Sequence, residues 1–241
     1  MPFFSIIVAA FNAGETIEKT VTSVLEQSFD DFEIVVKDAG STDGTLGKIP
    51  HDSRIRIYSD KDGGIYDGMN IALDFATGEY VQFLNCGDIL ADKDVLRTVH
   101  DALQKKPTDM IYGNIRKFGR IDRQIKRLSR AALCRTTVCH QAIFYKRTLF
   151  DTVGRYDTSY RLCADREHLI RLYLAGASHC FIPAVICEYL GNGASESQAN
   201  APRMREEGER IDAAYFTERE RRRVQKSRAI KRFIKKMLGR G

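Results

Sequence analysis

The sequence lacks any hydrophobic run long enough to cross a membrane. A membrane-spanning helix needs about 20 consecutive apolar residues, and no stretch of the 241 residues approaches that length. A secretory leader is also missing, because the N-terminus has no basic segment followed by a small-residue cleavage site, and residues 3–10 have the pattern of a strand. We therefore expect a cytoplasmic protein without a spanning helix.

Sequence fingerprints of zinc and dinucleotide sites are also absent. The six cysteines form no CxxC pair and no zinc-type spacing, which predicts reduced thiols. The first apolar run is not followed by GxGxxG, and no P-loop pattern occurs, so a standard NAD, FAD or P-loop site is not expected. The phosphates of a ligand would have to be held in another way.

Positive charge is concentrated at the C-terminal end. Residues 217–241 contain eleven Lys or Arg and two Glu, a net charge of +9, whereas the whole chain carries +6, so residues 1–216 carry −3. A mildly acidic body argues against a nucleic-acid-binding core, and no nucleic-acid partner is expected. The basic end predicts contact with an anionic surface.

Apolar runs and helical periodicity alternate along the chain, and the hydrophobic fraction of 43% is sufficient for a substantial core. This alternation predicts a doubly wound α/β sheet. In the first half the predicted strands are 3–10, 32–36, 54–58 and 80–84, and the predicted helices are 17–25, 65–75 and 92–105. In the second half the predicted strands are 109–112, 140–145, 178–182 and 185–189, and the predicted helices are 148–153 and 163–175.

Several predicted strands end in polar turns. Asn12, Asp38 and Asp62 follow the first three strands, and Asp88 follows the run 80–84. Ligands of open parallel sheets bind outside the carboxyl ends of the strands, so we expect these residues at one edge. A Mg²⁺ or Mn²⁺ ion on Asp88 could hold a diphosphate. The alternative is that Asp88 only caps the helix that follows.

Two basic segments lie in the second half. Residues 116–135 have weak periodicity, which we interpret as a mobile segment over the cleft that contacts an anionic acceptor or the donor phosphates, or as a solvated surface loop. Residues 217–241 predict a basic amphipathic helix that lies on an anionic membrane, or one that packs on the body or on a second subunit. Its apolar stripe consists of Ile230, Phe233, Ile234, Met237 and Leu238.

Five motifs together resemble family 2 glycosyltransferases of the GT-A fold, and bacterial polysaccharide, O-antigen and colanic-acid-type assembly enzymes most closely. The resemblance implies a Rossmann-like, doubly wound, mostly parallel sheet in residues 1–200, with a nucleotide-binding half (1–112) and an acceptor half (113–200), followed by a helical basic tail (201–241). The motifs are SIIVAAFN at 5–12, KDAGSTDGT at 37–45, GGIYDGMN at 63–70, FLNCGD at 83–88 and AD at 164–165.

The resemblance implies a nucleotide-sugar site in the first half. Asp38 falls where the family binds the nucleotide base, and a carboxylate there accepts the ring N–H. Asn85 is expected to bond the ribose or a metal-bound water, and Asn70 to hold the pocket in shape. The residues that the resemblance assigns to nucleotide-sugar binding are Ala9, Phe11, Asn12, Asp38, Asp62, Asn70 and Asn85.

The resemblance also implies a metal and a catalytic base. Asp88 matches the final carboxylate of a DxD-type motif for Mn²⁺ or Mg²⁺, although Asn85 and Gly87 replace the other acidic positions. Asp165 matches the general base, with Ala164 in place of the usual Glu. The alternative for Asp165 is a structural carboxylate at a helix N-terminus.

The resemblance places His140 and Gln141 on the acceptor side. A purely structural role as a buried, hydrogen-bonded histidine would account for His140 equally well. The implied reaction is an inverting transfer from a nucleotide sugar, UDP-linked by expectation, to a hydroxyl of a lipid-linked or glycan acceptor in surface polysaccharide synthesis. The enzyme would lie on the inner face of the cell membrane. The rival interpretations are a nucleotidyltransferase and a non-catalytic relative that binds a nucleotide.

Overall fold

A computed structural model describes residues 1–189, 191 and 197–237, without the side chains of 228 and 231–236. One mixed β-sheet forms the centre of this part of the chain. Its strands are β1 (Phe4–Ala10), β2 (Phe32–Asp38), β3 (Ile55–Ser59), β4 (Tyr80–Phe83), β5 (Asp88–Leu90), β6 (Met110–Lys117), β7 (Arg120–Asp122), β8 (Ile143–Lys146) and β9 (His179–Tyr189).

The strand order is β3-β2-β1-β4-β8-β6-β9-β5, and β7 pairs with β6. The first-half strands β3, β2, β1 and β4 pair in parallel, as does β6 with β9. The strands β8, β5 and β7 add antiparallel pairings, which the alternation of strands and helices does not predict. In the parallel half, the carboxyl ends of β1, β2 and β3 share one edge of the sheet.

Helices cover both faces of the sheet. The faces are separated by the alternation of β1, in which Ile7 belongs to one hydrophobic cluster and Ile6 and Val8 to the other. The predicted doubly wound α/β class is therefore confirmed. The helices are α1 (Ile17–Leu25), α2 (Ile65–Ala72), α3 (Val95–Lys105), α4 (Arg130–Leu133), α5 (Leu149–Thr152), α6 (Ala164–Leu174), α7 (Ala201–Tyr215) and α8 (Glu218–Met237).

Three local predictions differ from the structure. Asp88 begins β5 and pairs with β9, while Asp94 occupies the N-cap of α3, so the helix-cap interpretation of Asp88 is wrong. The two strands predicted at 178–189 are one strand, because β9 keeps its pairing with β6 across an irregular register around Asn114. Residues 116–135 contain β7 and α4 and bury Leu128, so the segment is not a solvated loop along its whole length.

The C-terminal helices pack on the face that carries α6. Ile211 of α7 is fully buried, and Val224 of α8 is 9% exposed. The Arg130 guanidinium pairs with Glu220 at the start of α8. The first part of α8 therefore packs on the body, whereas Ile230 of the apolar stripe is 59% exposed, and contact of the stripe with a membrane or a subunit stays a prediction.

The rest of the predicted apolar stripe is described only in part. Met237 is 72% exposed, whereas the side chains of Phe233 and Ile234, and Leu238 as a whole, lie outside the described residues. Within the described ranges, every helix is too short or too polar to traverse a lipid bilayer.

Candidate active site

A cleft of about 760 Å³ opens at the carboxyl ends of the parallel strands. Its walls are formed by the loops that follow β1, β3 and β4, by the start of α2, and by the segment that precedes α6. Described residues 116–135 contribute no lining side chain, and their predicted contact with an acceptor or with the donor phosphates stays a prediction. The predicted site residues that line the cleft are Ala9, Phe11, Asn12, Asp62, Asn85, Asp88, His140 and Gln141.

Asp38 ends β2 beneath the cleft and does not line it. The residue is fully buried. Its Oδ1 accepts a hydrogen bond from Ser41 Oγ at 2.5 Å, and its Oδ2 accepts from Ser59 Oγ at 2.7 Å and from the backbone N–H groups of Gly40 and Ser41. Burial raises the pKa of Asp38, but these hydrogen bonds outweigh it and the pKa is lowered. In this structure Asp38 shapes the turn after β2, and direct base recognition stays a prediction.

The turn after β2 is hydrogen-bonded to the loop after β1, and that loop forms part of the cleft wall. Ser41 Oγ accepts from the Asn12 backbone N–H at 2.8 Å, and Asn12 Oδ1 accepts from the Thr42 backbone N–H at 3.0 Å. Asn12 adopts a left-handed φ of 47°, a conformation that Asn tolerates better than most residues. This reciprocal pair leaves Phe11 64% exposed in the cleft wall.

Asn70 does not line the cleft, and its direct contact with a nucleotide sugar stays a prediction. Its Nδ2 donates to the Tyr156 carbonyl at 2.9 Å, and its Oδ1 accepts from the Tyr156 backbone N–H at 3.0 Å. Because one donor and its acceptor oxygen are both used in this way, the amide fastens α2 to the segment before α6. Asn70 therefore stabilises the site without lining the cleft.

A buried ion pair underlies the cleft floor. Lys37 Nζ lies 3.1 Å from Asp62 Oδ2, and the two side chains are 1% and 7% exposed. The same ammonium donates to the carbonyl groups of Asp38 and Asp60. The carboxylate also accepts from the Gly64 backbone N–H at 3.0 Å, so Asp62 fixes the loop that enters α2.

Asp88 lies in the cleft wall with 3% exposure. Its Oδ2 accepts from Gln141 Nε2 at 2.8 Å. Nearby Asn85 has a buried Oδ1 without a hydrogen-bond partner among the described residues. The described residues contain no cluster of three His, Cys, Asp or Glu side chains that could enclose a metal. One carboxylate and a free amide oxygen fit Mg²⁺ or Mn²⁺, because such ions often use one or two carboxylates and take further ligands from substrate phosphates and water.

Asp165 lies in the first turn of α6, behind two residues that line the cleft. Its Oδ1 accepts from Tyr66 Oη at 3.0 Å, and its Oδ2 lies 3.3 Å from His140 Nδ1. Burial raises the pKa of this carboxyl, but the hydrogen bond and electrostatic interaction with His140 and the Tyr66 hydrogen bond outweigh it, so the pKa is lowered. Asp165 is thus held in its ionised form.

His140 and Gln141 connect the two carboxylates. Gln141 contacts Asp88, and its neighbour His140 contacts Asp165. The second ring nitrogen of His140, Nε2, lies 3.1 Å from Asn85 Nδ2. If the amide donates to Nε2, the proton of the neutral ring is on Nδ1 and points to Asp165. A continuous polar chain therefore runs from Asn85 to the carboxylate on α6.

Sequence reasoning missed Glu207, whose carboxylate stabilises the segment before α6. Glu207 of α7 is 5% exposed, and its carboxylate accepts backbone hydrogen bonds from Arg161, Leu162 and Cys163 at 2.9, 2.9 and 3.0 Å. Arg161 and Leu162 line the cleft. A buried glutamate in a largely polar helix would have been the only signal, and its partners are more than 40 residues away.

Tyr66 of α2 is not among the residues that the sequence assigns to the site. The structure shows that its ring packs 5.2 Å from Tyr156 while its hydroxyl reaches Asp165. Both roles are compatible, because a buried tyrosine commonly combines apolar packing with one hydrogen bond.

Comparisons with known proteins match the chain to one family and one fold. The sequence model of the family described as "Glycosyl transferase family 2" matches residues 5–171. A PGL/p-HBAD biosynthesis glycosyltransferase of Mycobacterium tuberculosis is 37% identical over 203 residues, which are 78% of this chain and 74% of the relative. The Streptococcus pneumoniae glycosyltransferase GlyG is 28% identical over 49% of this chain and 40% of its own length.

Solved structures share the fold. S. aureus TarS 1-349 in complex with UDP-GlcNAc has a TM-score of 0.65 and 21% identity over 80% of this chain. Mannosyltransferase PcManGT from Pyrobaculum calidifontis, in complex with GDP-Man and Mn²⁺, has a TM-score of 0.66 and 21% identity over 84% of this chain. The matched regions span 60% and 61% of those two chains, so each solved chain has further parts.

Proposed function

The chain belongs to glycosyl transferase family 2, and from this premise we propose that it transfers a sugar from a UDP-linked donor to a hydroxyl of a lipid-linked glycan during surface polysaccharide synthesis. The observation that carries the proposal is one ionised carboxylate, Asp165, held by Tyr66 and His140 beside the cleft that Asp88 also lines. Nucleotide-sugar complexes of the neighbouring structures support the donor class. Family membership argues against the nucleotidyltransferase alternative.

The donor would lie along the loops after β1 and β3. The exposed Phe11 ring offers an apolar face to a nucleotide base, and the Asn12 loop is fixed by the turn after β2. Asp62 and Asn85, which line the cleft, would contact the ribose or diphosphate region. Asp38 would help to bind the nucleotide base indirectly, by organising the turn after β2. Alternatively, it would accept the ring N–H of the nucleotide base directly, in place of one serine hydrogen bond.

Asp88 and the free Oδ1 of Asn85 are the groups that would hold Mn²⁺ or Mg²⁺. A bound divalent ion would neutralise negative charge on the departing diphosphate. Gln141 Nε2 donates to Asp88 Oδ2 and thereby orients the carboxylate.

Asp165 is the proposed general base. An ionised carboxylate has about four acceptor sites, and Tyr66, His140 and the Arg166 backbone N–H occupy three. The remaining site could accept the proton of the sugar hydroxyl as that oxygen attacks the anomeric carbon. A single displacement of this kind inverts the anomeric configuration. His140 keeps the carboxylate charged and oriented.

The basic tail is proposed to bring the enzyme to the inner face of the cell membrane. Residues 217–241 carry a net charge of +9, and each basic residue near an anionic bilayer contributes about 1 kcal/mol of attraction. The start of α8 is attached to the body through Glu220 and Val224, whereas Ile230 faces outward. Equal liposome sedimentation of the full chain and of a chain ending at residue 216 would contradict this role.

The donor and the base can be tested together. We would screen nucleotide sugars by thermal shift with and without Mn²⁺, since a ligand at about 100 times its Kd stabilises the fold by about 2.7 kcal/mol. We expect Asp165→Asn to lower kcat by about 10²–10⁴-fold while UDP affinity stays within about twofold. Asp74→Asn, which alters a 56% exposed carboxylate on the surface, is the control and should retain full activity.

Each failure has a separate meaning. Retained activity in Asp165→Asn would contradict the assignment of the base. The absence of any nucleotide-sugar shift would contradict the donor class. Binding without transfer or donor hydrolysis in the unmodified protein would favour the non-catalytic alternative.

A further inference from the structure

The hairpin of β6 and β7 exposes two large apolar side chains at its tip. Phe118 is 67% exposed and Ile121 is 57% exposed. Lys117 pairs with Arg120, so the turn consists of Phe118 and Gly119, with φ values of 49° and 72°. Two-residue turns with positive φ favour Asn and Gly, and a bulky aromatic residue at the first position is unfavourable. The fold therefore presents an aromatic ring to the surroundings at a position where the backbone does not favour one.

Basic residues flank this apolar tip in the sequence. Residues 117–127, which we name the basic hairpin, contain five Lys or Arg and one Asp, a net charge of +4. Arg120 and Arg123 are exposed and form no ion pair with another described residue. The base of the hairpin is fixed, because Leu128 is 3% exposed and the Gln124 backbone N–H donates to Asn114 Oδ1 at 3.1 Å. The tip is thus an exposed apolar and cationic surface on a firm base.

The basic hairpin extends from the edge of the sheet that carries the cleft. Lys117 ends β6 and pairs with Tyr189 of β9, and Tyr189 pairs with Asp88 of β5. Neighbouring strands lie about 4.8 Å apart, so two steps place the Lys117 backbone about 10 Å from that of Asp88. The Lys117 ammonium lies 4.9 Å from the centre of the Tyr189 ring, and Tyr189 lines the cleft. The hairpin and the cleft mouth therefore face the same side.

We propose that the basic hairpin is a membrane-contact element that inserts Phe118 and Ile121 into the interface of an anionic bilayer while its cations bind lipid headgroups. Exposed apolar side chains flanked by Lys and Arg match the apolar and the charged layer of such an interface. A second copy of this chain is a poorer partner, because two hairpins of +4 charge repel each other. Contact at this edge would turn the cleft toward a lipid-linked acceptor, and only this consequence rests on the proposed function.

The chain contains no tryptophan, which allows a local test. Phe118→Trp in the full chain would carry the only indole, and Leu174→Trp is the matched control, because Leu174 is 47% exposed at the end of α6 opposite to Asp165. The probes are vesicles of pure phosphatidylcholine and of phosphatidylcholine with one quarter phosphatidylglycerol. With the anionic vesicles we expect a blue shift and quenching by brominated lipid for Phe118→Trp only.

A second variant measures the energetic role of the tip. Phe118→Ser with Ile121→Ser should weaken binding to the anionic vesicles by about tenfold or more while the thermal-shift response to UDP is unchanged. An unshifted Phe118→Trp spectrum on vesicles that sediment the protein would overturn the proposal, since the tail alone would then make the contact. A blue shift that grows with protein concentration and needs no vesicles would also overturn it, in favour of self-association. Neither outcome bears on donor binding.

Discussion

Removal of the Tyr66 hydroxyl should change the pH dependence of catalysis. This hydroxyl donates to Asp165 Oδ1 at 3.0 Å, and it is one of the contacts that lower the pKa of the carboxyl against the effect of burial. A hydrogen bond to a charged group contributes about 1.5–3 kcal/mol, and about 1.36 kcal/mol corresponds to one pKa unit. Tyr66→Phe should therefore remove about 1.5–3 kcal/mol of stabilisation from the ionised form and raise the pKa of Asp165, while the buried ring keeps its packing.

The sign of the effect follows from which form is active. Because the base acts when ionised, activity is lost as pH falls through the pKa of Asp165, and a raised pKa moves this loss to higher pH. The same lowered pKa stabilises the fold at pH above the unfolded pKa, and this stabilisation is lost as pH falls through the folded pKa. Tyr66→Phe should thus begin acid unfolding at a higher pH than the unmodified chain.

The assay is the pH profile of kcat/KM between about pH 4 and 8, with each protein normalised to its plateau. Tyr80→Phe is the control, because its hydroxyl is also buried and hydrogen-bonded, to the Thr108 carbonyl at 2.8 Å, but does not line the cleft. Superimposable profiles for the Tyr66→Phe and unmodified proteins would refute the reasoning, as would an equal shift in Tyr80→Phe.

Three further predictions concern the metal, the support of the site and the packing of the sheet. Asp88→Asn should remove the response of donor binding to Mn²⁺ in calorimetry, and an unchanged response would exclude Asp88 as a ligand. Glu207→Gln should raise the acceptor KM more than the donor KM, and an equal rise of both KM values would contradict this. The same substitution should lower the free energy of unfolding by about 1–3 kcal/mol, because an amide N–H₂ group then faces backbone N–H donors. Gly78→Ala should destabilise the fold by about 1–3 kcal/mol in denaturant unfolding, because the added Cβ would lie 2.6 Å from the Ser5 backbone nitrogen. Gly47→Ala is the control and should be neutral, because the space around Gly47 is open.

The sequence determined the fold class and the edge of the sheet where the cleft lies. Continuous apolar runs such as residues 4–10 can be buried on both faces only in a sheet covered by helices, so the layer arrangement follows from local pattern. The polar turns that end these runs must then meet at one edge. Asn12, Asp62 and Asp88 do so, and their approximate positions needed no knowledge of distant contacts.

The tertiary structure decided which of these polar groups face the cleft and which are already occupied. Asp38 and Asn70 have the same local pattern as their neighbours, yet serine hydroxyls and the Tyr156 backbone use their polar atoms. The contact of Tyr66 with Asp165 spans 99 residues, and that of Glu207 with the segment before α6 spans more than 40. Local periodicity carries no information about such pairs, because they form only when separate elements pack. The sequence therefore placed the carboxylates near one another, and packing alone determined their partners and their charge.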